Sequence, residues 1–94
     1  MDKPYPSDHA LRTIKDWDYT KIKSLMEFIY EHWEYGDSCW KQRGRKFSIS
    51  TGGWSGNESL IGAMQSNRMF WSICWEESRR GGHYKFEVPV TNWK

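Results

Sequence analysis

Residues Phe47–Glu58, FSISTGGWSGNE, put three of the chain's eight glycines within five positions and end on the S-x-x-E spacing of Ser55 and Glu58. The pattern predicts a strand over Lys46–Thr51, a glycine turn, and a helix from about Gly56 to Ser66 whose first turn is closed by a Ser55–Glu58 capping box. A strand that turns through glycines into a helix N-terminus offers backbone N–H groups and a partial positive charge, a setting suited to phosphate or carboxylate. The candidate ligand-binding residues here are Ser50, Thr51, Gly52, Gly53, Trp54, Ser55, Gly56 and Asn57. Arg79, Arg80 and His83 join them from a second glycine-containing turn, because arginine grips phosphate or carboxylate with two parallel hydrogen bonds. Trp54 could stack on a base or close over the core. The expected ligand is therefore an anionic, nucleotide-like molecule. The turn lacks the lysine of G-x-x-x-x-G-K-[ST] and reads G-G-x-x-G rather than G-x-G-x-x-G, so neither nucleotide motif is met. The same glycines would also serve a strand-to-helix turn that needs only their backbone angles.

Other chemistry finds less support. Cys74 and His83 fall on neighbouring predicted strands, which suggests a Cys/His nucleophile. Their spacing matches no cysteine-hydrolase signature, and a strand cysteine usually serves as packing. Glu58 is better used as a cap partner than as a general base. His9, His32 and His83 are scattered and give no metal-ligand spacing. No catalytic residue, metal site or cofactor is expected. Cys39 and Cys74 are read as free thiols of a cytoplasmic chain. Lys41, Arg43, Arg45 and Lys46 surround Gly44, where they could contact phosphates or form a solvated loop.

The elements that must position these residues follow from periodicity. Residues 1–17, with two prolines and mixed charge, read as an irregular arm with room for one helical turn at Ala10–Lys15. Asp18–Tyr35 is the clearest helix: Ile22, Leu25, Met26, Ile29, Tyr30 and Trp33 make one stripe, with Asp18 as N-cap and Gly36 as the left-handed stop. Asp37–Lys46 reads as a polar connection. Arg68–Glu77 and His83–Val88 alternate as two strands joined by a hairpin turn at Ser78–Gly82. Matching their apolar rows pairs Trp75 with Phe86, Ile73 with Val88, Glu76 with Lys85 and Cys74 with Glu87. The expected fold is α+β: an amphipathic helix, a strand, the glycine turn, a helix and a β-hairpin, giving a sheet of about three strands with helices on one face. Residues 18–94 form its single domain.

Composition sets the bounds. Ninety-four residues of mean hydropathy -0.90 carry seven tryptophans, five tyrosines and four phenylalanines, so a few large rings must fill the core and some should line a surface patch or pocket. No window approaches the roughly 18 apolar residues of a membrane span, and Met1–Pro4 begins without the apolar region of a secretory signal. The net charge of +2 is too slight to imply nucleic acid, whose recognition would need a one-sided basic stripe. Burial of a sheet edge by a second copy of the chain is possible on these grounds.

The stretch FSISTGGWSGNE, the aromatic run MFWSICW at Met69–Trp75 and RGGHYKFEV at Arg80–Val88 resemble small accessory proteins of tailed bacteriophages and prophages, over roughly residues 18–89. The resemblance implies a genomic setting, the host cytoplasm, more than a mechanism. Such proteins often act by binding, either blocking a host defence protein or sequestering a nucleotide signal. Two readings follow: a non-enzymatic binder of an anionic, nucleotide-like ligand, and a protein-interaction module that inhibits or adapts a host protein through exposed aromatics and the hairpin.

Overall fold

A computed structural model describes residues 4–94. Along the chain run α1 (Asp8–Lys15), α2 (Ile22–His32), the short α3 (Gly36–Cys39), β1 (Trp40–Arg43), β2 (Lys46–Ser50), α4 (Ser55–Ser66), α5 (Arg68–Cys74), β3 (Trp75–Arg79) and β4 (His83–Glu87), closed by a 3-10 turn at Val90–Asn92. The fold is α+β, and its sheet has four strands in the order β1-β2-β4-β3, all neighbours antiparallel.

The sheet is one strand larger than expected because β1 has a single apolar residue, Trp40, and three exposed polar ones. That composition leaves no alternation to read. A two-residue turn, with Gly44 at φ +62°, folds it back on β2 in the register Trp40↔Ile49 to Arg43↔Lys46. The N-terminal segment read as an irregular arm holds the eight-residue α1. Ser7 caps it by accepting from the Ala10 N–H at 3.0 Å, and it packs on α4.

Residues 68–74, expected as strand, are helix. Met69, Trp71 and Ile73 make one apolar row and Phe70 and Cys74 put apolar residues in the other, and a short window of that kind does not distinguish strand from helix. Phe70 and Cys74, four apart, face the core together. Asn67 decides the matter: its Oδ1 accepts from the Phe70 N–H at 3.2 Å and caps α5, while its Nδ2 donates to the carbonyls of Ile14 and Trp17. Of the expected hairpin register, Trp75↔Phe86 is present. Glu76 is bulged out, so Lys85 faces Glu77. The pairings of Ile73 with Val88 and Cys74 with Glu87 do not form, since Ile73 and Cys74 lie in α5.

The stripe of α2 is core as expected: Ile22, Leu25, Met26, Ile29 and Trp33 are buried, and Tyr30 lies 43% exposed. Its helix starts later than predicted, at Ile22. Asp18 instead accepts from the Thr20 N–H and hydroxyl, bonds that hold its carboxyl below the usual value. The left-handed residue after α2 is Tyr35, at φ +63°, not Gly36. Phe47, Ile49 and Phe86 point from the sheet into a core shared with Trp33, Trp40, Phe70 and the helices' aliphatics. Lys41, Arg43, Lys46, Ser48, His83 and Lys85, on the other phase of the strands, face solvent.

Candidate functional site

The two glycine-rich turns meet at one end of the sheet. β4 lies between β2 and β3, so Ser50, His83 and Arg79 stand side by side across three strands. Ser50 Oγ and His83 Nδ1 are 2.6 Å apart, and the Thr51 N–H donates to the Gly82 carbonyl at 3.0 Å. Arg80, Gly81 and Gly82 form the turn between β3 and β4, with both glycines at positive φ. Of the expected residues, Ser50, Gly52, Gly53, Arg79, Arg80 and His83 thus line one accessible end.

The remaining expected residues are used by the fold. Asn57 is fully buried. Its Nδ2 donates to the carbonyls of Glu34 at 2.9 Å and Thr51 at 3.1 Å, and its Oδ1 accepts from the Glu34 N–H at 3.0 Å. Thr51 is buried, with Oγ1 against Gly82. The ring of Trp54 lies over Gly56, where a Cβ would meet it at 2.3 Å, and Tyr5 meets it edge-on with ring centroids 6.1 Å apart. The Ser55–Glu58 capping box is absent: α4 begins at Ser55 with Trp54 as N-cap, and no side chain caps it. The Ser55 carbonyl instead accepts from the Tyr5 hydroxyl.

Glycine is required at two of these positions for different reasons. At Gly53, φ is +78° with open space around the missing Cβ; at Gly82, φ is +79° and a Cβ would stand 2.4 Å from Thr51 Oγ1. Gly53→Ala is expected to cost about 1–2 kcal/mol through backbone strain alone. Gly82→Ala should cost more, because the turn-to-turn contact must also open. Chemical denaturation of the two variants checks the order.

The solvent face of the sheet continues from this end. Lys41, Arg43, Lys46, Ser48, Glu76 and Lys85 surround a depression of about 420 Å³ above Phe47 and Phe86. Lys41, Ser48, Lys85 and Glu77 form one row across the four strands, and Arg43, Lys46 and Glu87 form the next. Glu77 is hydrogen-bonded to Arg79, which holds its carboxyl below the usual value. Lys41 and Arg43, read as loop residues or phosphate contacts, prove to be strand residues on this face. Lys46, read with them, lies on the same face, whereas Ser48 and Lys85 were missed as site residues although they occupy the non-core phase of strands already visible in the sequence.

Ser50 and His83 have the contact of a nucleophile and base. The residue opposite His83 in the ladder is Arg79, whose side chain is hydrogen-bonded to Glu77, whereas a Ser–His triad uses a carboxylate to orient and stabilise the imidazolium. The hydrogen bond between Ser50 and His83 ties the ends of β2 and β4 together. Cys74 lies in α5, not on a strand beside His83, and burial pushes its thiol up to about 12, which denies it thiolate character near neutrality. Among the described residues no three His, Cys, Asp or Glu side chains converge as metal ligands, and no helix is long and apolar enough to cross a membrane.

The two cysteines are free and differ in access, which gives a further expected result. Cys39 is half-buried and Cys74 1% exposed, so a thiol reagent at pH 8 should modify Cys39 quickly and Cys74 only when the protein opens. The unfolded thiol ionises near 9.0 and the folded one near 12, so the unfolded chain releases this proton first. Below pH 9 the effect is absent; above it stability falls, at most by about 1.4 kcal/mol per pH unit. Urea midpoints at pH 8 and pH 10 should diverge more in the wild type than in Cys74→Ala. No protein-family model, curated protein or solved structure matches the chain.

Proposed function

We propose that the protein is a non-enzymatic binding protein that takes an anionic, nucleotide-like ligand on the solvent face of its sheet. The observation that carries the reading is the depression where Lys41, Arg43, Lys46 and Lys85 converge from three strands. Side chains on a four-stranded sheet are placed by the backbone ladder, so their charges are close before any ligand arrives. Glu76, Glu77 and Glu87 on the same face offset part of their mutual repulsion, and an anion would relieve the remainder. Ser48 and Ser50 supply hydroxyls along the same face, and Arg79, Arg80 and His83 extend it to the exposed Gly52–Gly53 turn. A phosphate at the basic depression would leave the rest of a nucleotide lying toward that turn. In the phage setting that the resemblance implies, such binding would withdraw a nucleotide signal of host defence.

The reading is tested by a thermal-shift screen against mono-, di- and cyclic nucleotides, sugar phosphates and short oligonucleotides. A ligand present at 100 times its dissociation constant adds about 2.7 kcal/mol to the native state. The expected result is a shift with a phosphorylated ligand that disappears in the Lys41→Gln/Lys85→Gln variant, whose own melting temperature stays near that of the wild type. A panel without any shift would overturn the reading.

A further inference from the structure

A second surface, of different chemistry, lies on the helix side of the sheet at the outer edge of β1. Tyr30, Trp40, Phe47 and Trp93 form a continuous chain of rings with successive centroids 5.3, 5.8 and 6.0 Å apart. They floor and wall a groove of about 410 Å³ between α2 and β1, with Glu27 and Glu31 on its helical rim. Gly36 fixes the Tyr30 ring, which lies 3.0 Å from where a Cβ at that position would be. Lys23 closes the far end, its Nζ 5.9 Å from the centre of the Trp93 ring. Among the described residues β1 pairs only with β2, and an antiparallel strand turns every second residue's N–H and C=O away from its partner. The groove therefore runs beside a row of backbone donors and acceptors.

We propose that this edge accepts an extended peptide segment of another protein as a fifth strand, and that the segment alternates basic or aliphatic residues with acidic ones. The alternation follows from charge on both sides of β1. A strand added there directs every second side chain into the groove, against the rings and the carboxylates of Glu27 and Glu31. Lysine or arginine suits those positions through cation–π contact and charge, and an aliphatic side chain suits the floor. The intervening side chains emerge on the opposite face beside Lys41 and Arg43, where glutamate or aspartate is favoured. A second copy of the chain is the poorer occupant. Antiparallel self-pairing of β1 would set Lys41 and Arg43 against the same cations of the copy, and like charges across a ladder destabilise it. The groove lies on the other side of the sheet from the proposed ligand depression, and of their charged residues the two proposals share only Lys41 and Arg43, so this inference does not rest on the anionic-ligand reading.

The test is an amide titration of the labelled full chain with three blocked octapeptides. One alternates glutamate with lysine and valine, the second is a scramble that breaks the period, and the third ends in phenylalanine-rich neutral sequence without charge. The expected result is perturbation confined to Trp40–Arg43 and the Trp40 and Trp93 indole N–H signals, with the alternating peptide at least about tenfold tighter than either control. The Glu27→Lys/Glu31→Lys variant, altered only at exposed positions, should lose that preference. Equal affinity for all three peptides, or shifts away from β1, would overturn the proposal. So would a concentration-dependent dimer, seen by sedimentation of the chain alone, that shifts the β1 amides.

Discussion

Replacing Asn57 with alanine is expected to remove about 3–4 kcal/mol of stability, among the largest losses available from a polar residue in this protein. The side chain is fully buried and makes three hydrogen bonds to backbone groups of Glu34 and Thr51. Alanine removes the Asn57 partner of the Glu34 N–H and carbonyl, at about 1–3 kcal/mol for each group that water cannot reach, while the Thr51 carbonyl loses one of two donors and keeps the Trp54 N–H at 3.1 Å. Partial opening of the Glu34 loop lowers the sum. For a domain of this length the loss corresponds to a drop in Tm on the order of 15–25 °C. Asn57→Asp is the informative companion: it keeps the acceptor for the Glu34 N–H and loses both donated bonds. Thermal unfolding of the two variants beside the wild type measures the effect, and an alanine variant within 1 kcal/mol of the wild type would show that water replaces the side chain. Because Asn57 holds the Thr51 carbonyl, the same variant should also loosen the glycine turn beside the proposed ligand face.

Trp33→Ala is expected to cost more still, about 3–5 kcal/mol from the vacated core volume and a further contribution from the Ser50 carbonyl, which accepts from the Trp33 indole N–H at 3.1 Å. Trp33 is fully buried and meets Trp40 edge-on at 5.4 Å, so it joins α2, β1 and the end of β2. Trp33→Phe separates the two effects. It restores most of the ring and leaves the carbonyl unpaired, for an expected loss of about 1–3 kcal/mol. Urea denaturation resolves the pair, and equal losses in the phenylalanine and alanine variants would contradict the packing argument. A total stability of about 5–15 kcal/mol, usual for small domains, makes either loss large.

The α2 stripe, β2, α4 and β4 were legible because each has one apolar phase and one polar phase. The Asp8–Lys15 helix was under-read as a single turn, since Ala10 and Ile14 are its only buried residues. β1 had no readable phase, and α5 had two. What separates α5 from a strand is Asn67, whose contacts with Ile14 and Trp17 span about half the chain; no local window contains them. The candidate site was legible in its ends and not in its middle. Glycines and arginines mark the two turns by type, and β4 brings them together. The basic depression depends on β1 being a strand, so Lys41 and Arg43 carried no positional meaning until the fourth strand was known. Glycine also drew attention to Gly56 and Asn57, whose roles are close packing under Trp54 and a backbone anchor.

We propose that the solvent face of the sheet binds phosphorylated ligands. The most direct test is an amide titration of the labelled protein with a cyclic dinucleotide and, separately, ATP. Perturbations are expected at Lys41, Ser48, Ser50, His83 and Lys85, reversed by raising the salt concentration and weakened in Lys41→Gln/Lys85→Gln. Unchanged spectra at millimolar concentrations of both ligands, or perturbations that leave these strand residues untouched, would contradict it.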